Sequence, residues 1–267
     1  LHYIYRKNWD TIDMRKPLSL HFSLMMAILA VAMGLLSWTF AQADETTSIR
    51  LRDGNEVSVR VFPAKGDTLF IWFACDEGLG TREAITAKQL AQKGYEVWLP
   101  DMLGSHFLPA APSSMAQLPT EELSDVIADV IQRTGKNVYL VTASRGTLPT
   151  LLGARAWQQS ATEAQKPLLK GAILFYPEVY LETPKPGADA QYHPIIGQTR
   201  MNIAVFQGER SPGRWWLGQL KQELEKGGST VHTVLLPGVR GFFYVRQDAT
   251  PAEQAMAERL PELILNA

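Results

Sequence analysis

From Thr68 to Leu265 the chain alternates short apolar runs with segments of helical period, and this alternation restricts the fold more than any other feature. Thr68–Phe73 is apolar throughout, which suits a strand buried on both faces. Thr81 is placed to cap a helix running to Lys93, with Ala84, Ala87, Leu90 and Ala91 on one side and Gly94 ending it. Tyr95–Leu99 is a second short strand, stopped by Pro100. The pattern repeats with a helix over Thr120–Arg133, whose stripe is Leu123, Ile127, Val130 and Ile131, then a strand over Asn137–Val141. A helix over Gly146–Gln158 and strands over Gly171–Phe175 and Ile203–Phe206 follow. The series closes with a helix over Trp216–Lys226, a strand over Val231–Leu236 and a final helix over Ala252–Leu265. Successive parallel strands need helical crossovers of one hand, so the expected fold is α/β, a doubly wound, mostly parallel sheet flanked by helices. Ser48–Phe62 differs. Val57, Val59 and Val61 alternate with polar residues after a turn at Asp53-Gly54-Asn55, which predicts an antiparallel N-terminal hairpin with one wet face. Pro177–Thr199 carries Pro184, Pro186, Gly187 and Pro194 and no clear periodicity, so it is expected to be a functional loop or a partial lid.

Residues 1–43 stand apart from this pattern. Met14-Arg15-Lys16-Pro17 is a basic start, Leu24–Leu36 is strongly apolar, and Ala41-Gln42-Ala43 supplies a small-residue end. These are the parts of a secretory leader, with cleavage expected after Ala43. Leu18–Phe40 approaches the about 20 residues that cross a bilayer, but its uninterrupted apolar core is shorter. The expectation is therefore a single domain over residues 44–267, periplasmic or secreted, touching a membrane only if the leader stays attached. Residues 1–13 precede the first methionine and are expected to have no structural role. The formal net charge is -1 with no long run of one sign, which gives nucleic acid no electrostatic footprint to bind. Cys75 is the only cysteine, so no intramolecular disulfide forms.

The sharpest local motif is Val141-Thr142-Ala143-Ser144-Arg145-Gly146, between a buried strand and a helix. A nucleophile elbow has the form G-x-S-x-G, because small neighbours let a strained turn lift the serine hydroxyl clear of the sheet. Thr142 stands in the first glycine position and Gly146 keeps the second. A serine that merely caps the next helix is the plainer alternative.

With this motif, the runs Cys75-Asp76-Glu77-Gly78-Leu79-Gly80-Thr81-Arg82-Glu83 and Gly94-Tyr95-Glu96-Val97-Trp98-Leu99-Pro100-Asp101 make most of residues 48–265 resemble the α/β-hydrolase superfamily. The resemblance implies Ser144 as nucleophile and an oxyanion hole from the backbone N–H groups of Cys75 and Arg145. It also implies an acid after the next-to-last strand and a histidine after the last. Here the sequence departs from the pattern. Gln207-Gly208-Glu209-Arg210-Ser211 has Ser211 where an aspartate is expected, and Pro237-Gly238-Val239-Arg240-Gly241-Phe242-Phe243 has Gly241 where the histidine is expected. His232 lies at the wrong end of its strand. Substitutes would be His193 or His106 as base and Glu178 or Glu209 as acid, each of which has the plainer reading of a solvated loop residue. Asp101 is expected to brace the turn after its strand. Cys75 is expected to be a buried, inert thiol, and Trp215-Trp216 and Phe242-Phe243-Tyr244 to be core and rim packing.

Other chemistry finds no footing. Gly78-Leu79-Gly80 is followed by Thr81-Arg82-Glu83, so a third glycine and a phosphate-binding lysine are both missing, and no cofactor is expected. No metal-ligand spacing occurs. Two readings remain: an exported, hydrolase-like binding module without catalysis, or an active serine esterase acting on a small acyl or ester ligand through Ser144 and a displaced base.

Overall fold

An eight-stranded sheet organises residues 44–267, the part of the chain that the computed structural model describes; the expected leader and its cleavage site lie outside them. The strands are β1 (Glu45–Arg50), β2 (Glu56–Phe62), β3 (Thr68–Trp72), β4 (Glu96–Pro100), β5 (Asn137–Ala143), β6 (Leu169–Phe175), β7 (Asn202–Gly208) and β8 (Thr230–Leu236). Their spatial order is β1-β2-β4-β3-β5-β6-β7-β8. β1 pairs antiparallel with β2 and β2 with β4, and every later pairing is parallel. The mostly parallel sheet and its antiparallel N-terminal pair both match the sequence reading.

The pleat divides each apolar run between two cores. Leu69 and Ile71 face one side, where they pack with Ile127 and Val130 of α2 (Thr120–Thr134); α3 (Thr147–Ser160) and α4 (Leu217–Lys226) cover the same face. Phe70 and Trp72 face the other side, with Ala87 and Leu90 of α1 (Thr81–Gln92). α5 (Pro251–Glu258) and α6 (Leu260–Leu265) complete that layer through Met256, Leu260 and Ile264. Each fully buried Leu or Ile contributes about 2 kcal/mol, which is why runs without a polar face form the central strands.

Three local expectations change. The cap of α1 is Gly80, not Thr81: the Gly80 N–H donates to the Glu83 carboxylate at 2.9 Å, and Thr81 is already helical. The segment read as one helix over Ala252–Leu265 is two, meeting at Arg259, because Pro261 has no N–H for the i−4 carbonyl and its ring crowds that carbonyl. The helix after Ser144 begins with a 3₁₀ turn over Ser144–Gly146 before α3. Residues 177–199 are more ordered than their composition suggests. Tyr180 and Tyr192 form a β-bridge, and Pro194–Gln198 makes a 3₁₀ turn. Asp101 braces its turn by accepting from the Gly104 N–H at 2.8 Å.

The chain passes from β3 to β4 on one side, then returns across β3 to reach β5 on the other. The strand order reverses there, so the carboxyl ends of β3 and β5 open a crevice of the kind in which α/β sheets bind ligands.

Candidate functional site

Ser144 sits at the carboxyl end of β5 with φ 47°, in the left-handed region that costs a non-glycine residue about 1–2 kcal/mol. Among the described residues, three of the four non-glycine residues with positive φ surround this crevice: Ser144, Tyr176 and Phe242. Backbone strain gathered at one place is held there by the surrounding packing. Gly146 shows what holds the turn. A Cβ at this position would lie 2.3 Å from the Ala74 carbonyl oxygen and 2.5 Å from Thr142 Oγ1, so only glycine fits. Thr142 fills the space beside it and is wholly buried. Ser144 Oγ is also buried and makes no hydrogen bond among the described residues, so the serine does not cap the helix. The strand–turn–helix geometry is that of an elbow.

One of the two expected oxyanion donors faces an acidic side chain of the protein itself. The Arg145 N–H, one of the two expected donors, points at Asp76 Oδ1 across a long 3.4 Å contact. The Arg145 guanidinium reaches Glu178 at 3.2 Å and Asp76 at 3.9 Å. Glu178 is thus beside the elbow, and its own N–H donates to the Ser144 carbonyl at 3.0 Å, but its carboxylate faces Arg145. Partial burial pushes the Glu178 carboxyl up against the opposing pull of Arg145. Cys75, at the other expected donor, keeps a protonated thiol: burial pushes it up to about 12. Its Sγ accepts a weak bond from the Glu77 N–H at 3.4 Å.

On the far side of the crevice are the loops after β7 and β8. A Cβ on Gly241 would lie 3.4 Å from Ser211 Oγ and 3.7 Å from the Tyr176 ring. The two positions where the resemblance calls for acid and base therefore do meet in space, carrying groups that can do neither job. Ser211 is 8% exposed and its hydroxyl has no partner among the described residues. The proposed substitutes are engaged elsewhere. Glu209 accepts from the Gly238 N–H at 2.8 Å, His193 Nδ1 accepts from the Ile195 N–H at 3.2 Å, and His106 Nε2 lies 2.5 Å from Glu122 Oε2. His232 is the third residue of β8, towards the amino end of that strand and away from the carboxyl ends that form the crevice.

Two residues that sequence reasoning did not single out shape this space. Asp76 is one, and its only sequence signal was an acidic side chain immediately after the expected donor Cys75. The other is Tyr176, which follows β6 with φ 38° and packs at a tilt against Phe242 at 5.0 Å and Tyr244 at 6.0 Å between ring centroids. Burial holds the phenols of Tyr176 and Tyr244 well above the usual tyrosine range, so both stay neutral. A cleft of about 500 Å³ opens beside them, bordered by Ser211, Trp216, Gly241 and Phe242. Among the described residues no cluster of His, Cys, Asp and Glu could hold a metal ion.

The architecture and the elbow together define the α/β-hydrolase fold, and solved structures agree. A protein described as a dienelactone hydrolase from Klebsiella pneumoniae subsp. pneumoniae MGH 78578 superimposes with TM-score 0.61 at 17% identity, covering 84% of this chain and 99% of its own. An esterase from Pyrobaculum calidifontis gives 0.58 at 16%, covering 94% of this chain and 95% of its own. The esterase Est22 gives 0.65 at 12%, covering 93% of this chain and 89% of its own. No family model and no curated protein matches the sequence.

Proposed function

We propose that this chain is an exported, hydrolase-like binding protein that has kept the elbow and the crevice but not the proton-transfer machinery. The observation that carries this reading is the meeting of Gly241 with Ser211, where a Cβ on Gly241 would lie 3.4 Å from Ser211 Oγ, in the places where the resemblance calls for histidine and aspartate. A serine hydroxyl attacks only when a base removes its proton, and Ser144 Oγ has no such partner among the described residues. The Asp76 carboxylate beside the Arg145 N–H adds a second obstacle, since a negative group there opposes the negative charge that an acyl-transfer intermediate develops.

The competing reading, an active esterase, draws on the strained turn at Ser144, since such strain persists where a nucleophile must be presented. Labelling with a fluorophosphonate probe separates the two. The wild-type protein should remain unlabelled across pH, as a Ser144→Ala control does. A wild-type signal that disappears in the control would establish the esterase. Export rests on the basic start, apolar core and Ala41-Gln42-Ala43 ending, and N-terminal sequencing of cell-derived protein should begin at Asp44.

A further inference from the structure

The guanidinium groups bordering the cleft are not equivalent. Arg145 is engaged by Glu178 at 3.2 Å. Arg240 and Arg246 share Asp248 at 3.0 and 2.8 Å, and Arg240 is also held by Glu253 at 2.6 Å. Arg210 borders the same cleft, is exposed, and has no carboxylate partner among the described residues. Its chain neighbour is Ser211, which lines the cleft and whose buried hydroxyl is likewise without a partner among the described residues. A buried hydroxyl left unmatched costs about 1–3 kcal/mol, and a ligand oxygen that accepts from it recovers that cost.

The border also carries four aromatic residues, Tyr176, Tyr180, Trp216 and Phe242, among prolines, glycines and polar side chains that include Glu178, whose carboxylate is held by Arg145. Tyr176 lies against Phe242 with ring centroids 5.0 Å apart, and Tyr180 meets Trp216 edge-on at 6.3 Å. Flat faces of this kind favour a flat apolar partner, and 500 Å³ suits a small molecule rather than a peptide.

We propose that the cleft binds a small aromatic oxyanion, a ring system carrying one carboxylate or phosphate, with Arg210 and the Ser211 hydroxyl holding the charged end and the Tyr176, Phe242 and Trp216 rings holding the flat body. This deepens the binding-protein reading and rests on it. The planar guanidinium suits both oxyanions, because its parallel N–H groups match two oxygens at once.

Calorimetric titration of the full chain tests the assignment with 2-naphthoate, 2-naphthyl phosphate, the uncharged 2-naphthalenemethanol, and acetate. At least one naphthyl anion should bind about tenfold or more tightly than the alcohol, and comparison of the two anions tells which oxyanion the cleft takes. Acetate should bind at least about tenfold more weakly than either preferred anion. Arg210→Gln should abolish the advantage of the anion over the alcohol, and Arg210→Lys, which keeps the charge, should retain most of it. Absence of saturable binding by both naphthyl anions would overturn the proposal. So would equal affinity for the alcohol, acetate binding as tight as theirs, or unchanged selectivity in Arg210→Gln. Fluorophosphonate labelling of the same preparation reports separately on Ser144. A labelled serine removes the non-catalytic reading without altering the charge selectivity, and lost selectivity removes the ligand class without creating a reactive serine.

Discussion

The two sides of the crevice differ in how tightly packing fixes their residues. On the β5 side packing leaves no room for added atoms: Ser144 holds a left-handed φ, and Gly146 has carbonyl oxygen 2.3 Å from where a Cβ would go. On the β7–β8 side the positions expected to hold acid and base carry Ser211 and Gly241, and a Cβ on Gly241 would meet its neighbours only at ordinary contact distance, 3.4 Å and beyond. The difference separates two kinds of constraint. An elbow is a packing requirement of the strand-to-helix passage and persists whether or not chemistry occurs. An acid and a base are required by the chemistry alone, and the fold stands without them.

That contrast gives its largest effect in a pair of alanine substitutions. Gly146→Ala drives a methyl into the Ala74 carbonyl and Thr142, and should cost about 3 kcal/mol in urea denaturation. Gly241→Ala should change stability by less than about 0.5 kcal/mol. Equal midpoints for the two variants would remove the distinction between a packed side and a permissive side.

The second effect is chemical. Restoring acid and base with Ser211→Asp and Gly241→His is sterically open at the Cβ, yet Asp76 still faces the Arg145 N–H. The double variant should label slowly with a fluorophosphonate, and adding Asp76→Ala should raise the labelling rate about 100-fold, the scale set by one oxyanion-hole donor. If the double variant labels as fast as the triple, Asp76 is no obstacle to an activated Ser144.

How much of this could be read from the sequence follows the same division. The strands and most helices were legible because burial on one or both faces leaves a periodic trace, as at Phe70-Ile71-Trp72 and Leu123–Ile131. Ser144 and Gly146 were legible because an elbow requires small residues at fixed spacing. The meeting of Ser211 with Gly241 was legible only through the resemblance, since the two are distant in sequence. Asp76 and Tyr176 left no periodic signal: each matters through contacts with residues far along the chain. The break at Arg259 was available from Pro261, but the apolar spacing of Met256, Leu260 and Ile264 reads as continuous across it.

A third measurement asks whether the β8 loop is permissive because it is loose. It is tied: Glu253 accepts from the Arg240 side chain at 2.6 and 2.7 Å and from the Arg240 N–H at 3.0 Å. The Arg240 guanidinium holds the Glu253 carboxyl well below the ordinary value of 4.5, with the Thr250 and Arg240 N–H groups assisting against burial. A carboxyl lowered on folding contributes stability that is present above its unfolded value and is lost as pH falls through the folded one. Glu253→Gln should therefore lower the melting temperature by several degrees at pH 7 and flatten the decline below pH 4.5. A variant that keeps the parental acid limb would show that the loop draws no stability from this pair.

The smallest effect concerns Ser144 itself. Its left-handed φ costs about 1–2 kcal/mol and its buried hydroxyl has no partner, whereas glycine accepts the same φ freely. Against this, glycine loses about 0.5–1 kcal/mol of additional backbone entropy on folding. The balance favours Ser144→Gly by about 1 kcal/mol, an increase in the urea midpoint with unchanged slope. In a binding protein this gain should leave affinity for a naphthyl anion untouched, because Arg210 and Ser211 hold the ligand across the crevice. A less stable Ser144→Gly protein would mean that the hydroxyl stabilises the native state, and the elbow would then have a reason for its serine besides ancestry.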